Sequence, residues 1–348
     1  MLTMNYCLKT LHKKVQMNYN VLGNTGVLVS ELCFGTMTFG SEADEAESAK
    51  MFKQCRDMGI NFFDCSNNYS EGRAESILGN LIQTCRDEVV ITSKVSQRVG
   101  KDINALGTSR RHIMLSIEQS LKRLKTDRID IYFIHHFDPL TPMEESLRAL
   151  DDLVRQGKVL YLGVSNWAAW QIAKALGISA KNNLARFECI EPMYNLLKRQ
   201  AEVEILPLAL SEKLGVIPYS PLAAGLLSGK YSKHHTPATG RIVDKLQYSK
   251  RYSHARYYEI AELFTHYAQE LGVTPTTLAI RWTMEHPAIT APIIGARNTI
   301  QLQDALNALH LQIDSDIREH ITQLSDTPAN ATDRLEEELD PKFKLRNR

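Results

Sequence analysis

The chain has 348 residues, enough for a large core, of which 43% are hydrophobic and 23% charged. A formal net charge of +1 excludes a broad field that would recruit nucleic acid or an anionic membrane surface. No apolar run reaches the roughly 18 residues of a membrane span. The six cysteines are scattered without a Cys-x-x-Cys pair, which excludes a disulfide framework or zinc ribbon and fits a reduced cytoplasm.

Residues 1–18 read as a flexible extension ahead of a start at Met17, with a weak amphipathic targeting helix over 1–16 as the competing reading. Two short apolar runs around Gly23-Asn24-Thr25-Gly26 predict a hairpin that plugs one end of the fold. A first strand over 31–34 leads to Gly35-Thr36-Met37, and a helix over 43–58 stops at Gly59. The run 60–63 ends at Asp64, a polar loop carries Tyr69, and a helix occupies 75–81. Residues 89–92 lead to Lys94, with a helix over 109–124 carrying Ile113, Ile117, Leu121 and Leu124 at helical spacing. The stretch 129–134 stops at His135-His136, just before Pro139. Helices over 143–155, 167–176 and 202–214 alternate with runs 159–164, 187–190 and 216–218, which end in Ser165-Asn166, Glu191 and Tyr219-Ser220.

Residues 221–252 form the one long stretch without a pattern, of the kind that is either functional or disordered. Helices over 255–271 and 276–285 precede a last strand, 289–294, ending in Gly295-Ala296-Arg297. Further helices are predicted over 299–309 and 315–324, then a charged loose tail. Near-continuous apolar runs alternating with helices predict a (β/α)8 TIM barrel over 19–325, with a hairpin cap, a long loop after the seventh strand, and a tail over 326–348. In such a barrel the polar groups at strand ends meet at one mouth.

Asp64, Tyr69, Lys94 and His135 are the groups with chemistry to offer there. A free phenol has a pKa near 10, roughly, and a neighbouring ammonium is expected to lower it while an aspartate holds the lysine charged. The phenol then serves as general acid toward a carbonyl oxygen that the imidazole orients. None of these groups can supply an electron pair to carbon, so the reductant must be a cofactor. Strand alternation implies that His135 and His136 cannot both line the mouth.

These residues resemble those of the aldo-keto reductases, near the branch of channel β-subunits and bacterial stress reductases, from about Tyr19 to Leu309. Asp64 through Tyr69 is similar to the family's Asp-x-x-x-x-Tyr element, Lys94 to its Ser-Lys strand end, and Ile134-His135 to its histidine. Gly163-Val164-Ser165-Asn166 and the segment from Tyr219 to Tyr231 are the most specific likenesses. The resemblance implies NADPH as cofactor. It places Thr36 and Met37 in the cofactor set, with Ser165, Asn166 and Glu191 toward the nicotinamide carboxamide and Tyr219 stacked on the ring. It puts Ser220, Pro221, Leu222 and Gly225 around the pyrophosphate, Lys230 and Arg241 toward the adenosine end, and Gly295, Arg297, Gln301 and Asp304 at the adenine ribose.

The residues agree that no Rossmann fingerprint is present and that basic groups suit a 2′-phosphate. Glu191 departs from the family's Gln, Ala305 from its Asn, and Cys65-Ser66 from its Thr-Ala. Cys65 reads as a buried inert thiol rather than a redox-sensitive one. Trp167, Tyr194 and the segment after Pro221 are candidate contacts for a small carbonyl substrate, with helix packing an equal reading of Trp167, while oligomeric state is unreadable. The competing function is an NADP(H)-binding regulatory subunit, which the presence of His135 disfavours. A metal-dependent barrel hydrolase is discounted because Phe34-Gly35-Thr36 stands where ligands belong.

Overall fold

Strands this short satisfy their backbone groups only beside one another, and here they do so in a ring. The computed structural model of the chain describes residues 17–333. A hairpin, β1 (Tyr19–Val21) and β2 (Leu28–Ser30), precedes β3 (Cys33–Gly35), β4 (Phe62–Asp64), β5 (Val90–Val95) and β6 (Ile129–Ile134). Then come β7 (Val159–Ser165), β8 (Phe187–Glu191), β9 (Gly215–Val216) and β10 (Ile293–Ile294). The helices are α1 (Glu45–Asp57), α2 (Arg73–Leu81), α3 (Arg110–Leu124), α4 (Met143–Arg155), α5 (Ala169–Asn182) and α6 (Ile205–Glu212). They continue with α7 (Arg241–Asp244), α8 (Leu246–Arg251), α9 (Ala255–Glu270), α10 (Pro275–Met284), α11 (Thr299–Leu306) and α12 (Ser315–Gln323).

The eight strands β3 to β10 are parallel and pair in chain order, with β10 returning to β3. The ring closes where Thr290 N donates to Val216 O at 2.9 Å and Ile293 N to Pro218 O at 2.8 Å. The fold is the expected (β/α)8 barrel.

Alternation along each strand sorts side chains into two sets. Phe34, Phe63, Ile91, Tyr132, Ile134, Leu162, Val164 and Ile190 belong to the larger apolar layer beneath the helices. Cys33, Phe62, Ile131, Phe133, Cys189, Ile217 and Ile293 form the interior cluster, joined by Leu22 and Val29 of the hairpin. Leu22 plugs the barrel floor, so close that a Cβ on Gly215 would lie 2.7 Å from its Cδ1. Gly23, at φ +55°, leaves no space for a side chain, since a Cβ would stand 2.5 Å from Gly215 N. The hairpin therefore caps the barrel as predicted. Counting upward in twos from Phe62, Val90, Phe133, Tyr161, Cys189 and Ile217 reaches Asp64, Lys94, His135, Ser165, Glu191 and Tyr219. Alternation thus carries Asp64, Lys94, Ser165 and Glu191 to the open end, with His135 and Tyr219 following just past the ends of β6 and β9.

Several predicted boundaries differ. The strand expected over 289–294 shrinks to Ile293–Ile294, because Pro292 has no N–H for the ladder. The helix expected over 167–176 starts at Ala169 and runs to Asn182, with Ala168 extended as its N-cap. The helix expected over 202–214 divides into a 3-10 turn, Gln200–Glu202, and α6. The segment 221–252 is not structureless: it holds a kinked 3-10 turn, Ala223–Ser228, followed by α7 and α8. The predicted extensions lie outside the described residues at 1–16 and 334–348, while 326–333 carry neither helix nor strand.

Candidate active site

Lys94 is the centre of the open end and is fully buried. Its Nζ donates to Asp64 Oδ1 at 2.5 Å and to Cys65 O at 2.9 Å, and reaches Tyr69 Oη at 3.4 Å. Glu191 Oε2 lies 3.3 Å away on the other side. Burial alone would push the ammonium down, but its acidic neighbours, Asp64 above all, outweigh it and hold the pKa well above the usual lysine range. Lys94 is therefore a fixed charge.

Thr92, two residues earlier on the same face of β5, donates to Asp64 Oδ1 at 2.5 Å and accepts from Cys65 N at 3.3 Å. Sequence reasoning missed this clamp, although its i−2 relation to Lys94 was a readable signal. Thr36 anchors the same strand end, its N and Oγ1 both donating to Asp64 O at 2.9 Å.

Tyr69 enters from the 3-10 turn Tyr69–Gly72, where Ser70 and Glu71 adopt φ 49° and 58°. Ser70 Oγ pins that turn to Phe39 O at 2.7 Å. Lys94 Nζ sits 5.1 Å from the Tyr69 ring centre. The expected lowering of the phenol does not occur as a net effect. Burial raises the Tyr69 pKa above its ordinary value, Lys94 opposes this, and Asp64 and Glu191 add to the rise. Burial dominates and the ammonium's charge is largely spent on Asp64, so the phenol keeps its proton.

His135 packs edge-on to Tyr69 with ring centres 6.0 Å apart. Burial and then Lys94 hold its pKa well below the ordinary histidine range, so the ring is neutral. Its Nδ1 is 3.3 Å from Ser66 Oγ, which also contacts Asn68 Oδ1 at 2.6 Å. For the other ring nitrogen to donate to a ligand, Ser66 must donate to Nδ1, with the Asn68 amide turned to donate to Ser66. The chain leaves β6 at Ile134, and the exposed His136 stacks on His135 with ring centres 5.1 Å apart.

A second group of residues closes the other side. Ser165 Oγ donates to Glu191 O at 3.0 Å. Asn166, at φ 59°, donates to His135 O and Ser165 Oγ, each at 3.0 Å, and accepts from Tyr219 Oη at 2.6 Å. Glu191 is buried. Its Oε2 makes the ion-pair contact to Lys94 but accepts no well-directed hydrogen bond among the described residues. Burial pushes the carboxyl up to about 8, Lys94 pulls it down, and Asp64 pushes it up again.

The remaining predicted residues follow the rim. Ser220, Ala223, Ala224 and Gly225 have φ of 60°, 48°, 57° and 98°, interrupted by Leu222 at φ −91°, and such alternation of hand builds anion-binding backbone concavities. Pro221 is buried within it, and Leu222 and Met37 are half-buried. Lys230 is exposed, and Arg241 lies over the Tyr248 ring at 5.5 Å. Arg297 N donates to Gln301 Oε1 at 3.1 Å, at the start of α11. Tyr231 connects these arms, for it feels the charge of Arg297 and packs against Gly240 beside Arg241. None of these three cations forms an ion pair among the described residues. Gly295 is exposed, and Asp304 is half-buried with its backbone carbonyl accepting from Thr277 Oγ1 at 2.8 Å.

One candidate substrate contact is corrected. Tyr194 is fully buried, stacks on Trp282 at 5.3 Å and donates to Glu202 Oε1 at 2.6 Å, so it is core. Trp167 is 6% exposed and packs between Phe137 and Phe187. Cys65 is buried and its thiol is raised by that burial, as expected of an inert cysteine.

Fold and site together define a (β/α)8 barrel that gathers a buried lysine, two acids and a phenol at its strand ends. No three His, Cys, Asp or Glu side chains among the described residues could share a metal ion. A model of the Aldo/keto reductase family matches residues 31–326, and the chain belongs to that family. It is 36% identical over 328 residues to the uncharacterized oxidoreductase YrpG of Bacillus subtilis (strain 168), covering 91% of this chain and 98% of the relative. It is also 36% identical over 301 residues to a protein of Arabidopsis thaliana named "Probable voltage-gated potassium channel subunit beta", covering 84% of this chain and 91% of that one. Among the described residues no helix is long and apolar enough to cross a membrane.

Proposed function

We propose that the protein reduces aldehydes and ketones to alcohols with NADPH. Tyr69 acts as general acid, Lys94 and Asp64 set its field, and His135 orients the carbonyl. The observation that carries this reading is the buried Lys94 ammonium, 2.5 Å from Asp64 and 3.4 Å from the Tyr69 hydroxyl. A charged lysine held there stabilises negative charge as it develops on a phenol oxygen.

The residues fit the cofactor. Glu191 offers an unsatisfied buried oxygen beside Ser165 and Asn166, and Tyr219 presents a ring fixed by its hydroxyl bond to Asn166. The left-handed residues between Ser220 and Gly225 suit a pyrophosphate, and Arg297, with Lys230 and Arg241, suits a 2′-phosphate. When bound, the cofactor supplies hydride to the carbonyl carbon.

The chain supplies the proton. As the carbonyl oxygen gains charge, the Tyr69 O–H bond breaks toward it and an alcohol O–H forms. Lys94 offsets the charge left on the phenolate, and Asp64 with Thr92 keeps Lys94 from swinging away. Neutral His135 contributes a hydrogen bond without competing as an acid. The test is NADPH consumption across a panel of aldehydes, ketones and quinones, with nicotinamide fluorescence quenching as the binding control. Binding without turnover on every class would refute the reading.

The likeness to the Arabidopsis protein supports one alternative, an NADP(H)-binding regulatory subunit of a potassium channel. Co-purification with a membrane partner, together with absent turnover, would favour it.

A further inference from the structure

Glu191 is the last inward residue of β8 and only 3% exposed, with its neighbours fixed on every side. Ser165 on β7 holds its backbone carbonyl, and Lys94 on β5 lies 3.3 Å from Oε2. The other ionisable groups that share its field are Asp64 on β4, Tyr69, Cys33 on β3, Cys189 on its own strand, and Tyr219. Lys94 is the one cation in that set, and Asp64 holds it at 2.5 Å. The Lys94–Asp64 pair is already neutral. A second carboxylate charge would leave the enclosed site with a net negative charge and one cation divided between two acids, which low-dielectric surroundings penalise.

We propose that Glu191 works as a carboxylic acid, a positioning residue whose O–H supplies the donor that an ionised glutamate lacks toward the nicotinamide carboxamide. Its ionisation at alkaline pH removes that donor and places a competing charge on Lys94. A neutral carboxyl offers one donor and one acceptor, the same pairing an amide side chain offers, which makes Glu at this position compatible with the family's Gln. Burial holds the folded carboxyl near 8 against an ordinary value of 4.5, in keeping with this state. The carboxamide half rests on the NADPH reading above, whereas the protonation half does not.

The experiment therefore has two arms on the full chain. The first follows the melting temperature of cofactor-free wild type and Glu191→Gln from about pH 5 to about pH 9. The folded state binds the Glu191 proton more tightly than the unfolded one, so stability from it is complete at the acid end and declines until about 8, then levels. Glu191→Gln has no such proton, and its advantage over wild type is expected to widen through that window and then stop. Parallel curves overturn the inference. Should the variant fail to fold, infrared difference spectra of wild type must show one carboxyl that deprotonates above neutrality, and its absence overturns the inference equally.

The second arm measures NADPH dissociation by fluorescence quenching. Wild-type affinity is expected to weaken about 10-fold across the alkaline transition, the loss of roughly one hydrogen bond, while Glu191→Gln stays level. A sloping stability curve with pH-independent binding overturns the positioning role. The same curve with no NADPH binding at any pH overturns the cofactor reading and leaves the protonated glutamate standing.

Discussion

Lys94→Met tests whether the lysine serves chemistry or packing. Methionine keeps most of the side-chain volume but removes the ammonium from between Asp64 and Glu191, which are 2% and 3% exposed. Glu191 can remain neutral, since its carboxyl is already raised to about 8. Asp64 keeps only Thr92 as a side-chain donor and becomes an uncompensated buried charge. Breaking a buried pair from one side costs about 3–5 kcal/mol. In a domain of this size, with about 2 °C per kcal/mol, that is a fall in melting temperature of about 5–10 °C. Turnover should fall by about 100- to 10,000-fold, the usual contribution of an assisted acid. Asp64→Asn/Lys94→Met removes both charges and should recover most of the lost stability while turnover stays lost. Scanning fluorimetry and NADPH-linked rates read the two effects separately. A single variant as stable as wild type, or a double variant no better than the single, would refute the electrostatic argument.

Arg297→Ala should raise the NADPH dissociation constant by about 10- to 100-fold, the worth of a charge-assisted hydrogen bond, and the NADH constant much less. Equal losses for both nucleotides in fluorescence titrations would remove Arg297 from the 2′-phosphate. Gly79→Ala tests the packing of α2 on α3. A Cβ there would lie 2.7 Å from Leu124 Cα and press on the Arg123 carbonyl, backbone that cannot rotate away. A loss of about 1–3 kcal/mol in denaturant melts is expected despite alanine's better helix propensity.

The fold was legible because its signals are local and repeated. Apolar runs such as 129–134 end at polar residues, and a buried parallel strand reads no other way. Strand alternation carried Asp64, Lys94 and His135 to one mouth correctly. Both histidines follow the end of β6 at Ile134, and the exposed His136 stacks on His135. The helices after Pro221 escaped notice because α7 and α8 have 4 and 6 residues, too few for a period to register. The phenol's raised pKa was also out of reach. Sequence places Lys94 and Tyr69 at the same mouth, but does not show that Asp64 holds the same ammonium closely enough to claim most of its field.

The proton donor itself is most directly tested by Tyr69→Phe, which deletes one oxygen and leaves the ring over Lys94. Nicotinamide fluorescence should report unchanged NADPH affinity while single-turnover carbonyl reduction falls by about 100-fold or more. A variant that still reduces carbonyls at the wild-type rate would show that the proton comes from another group.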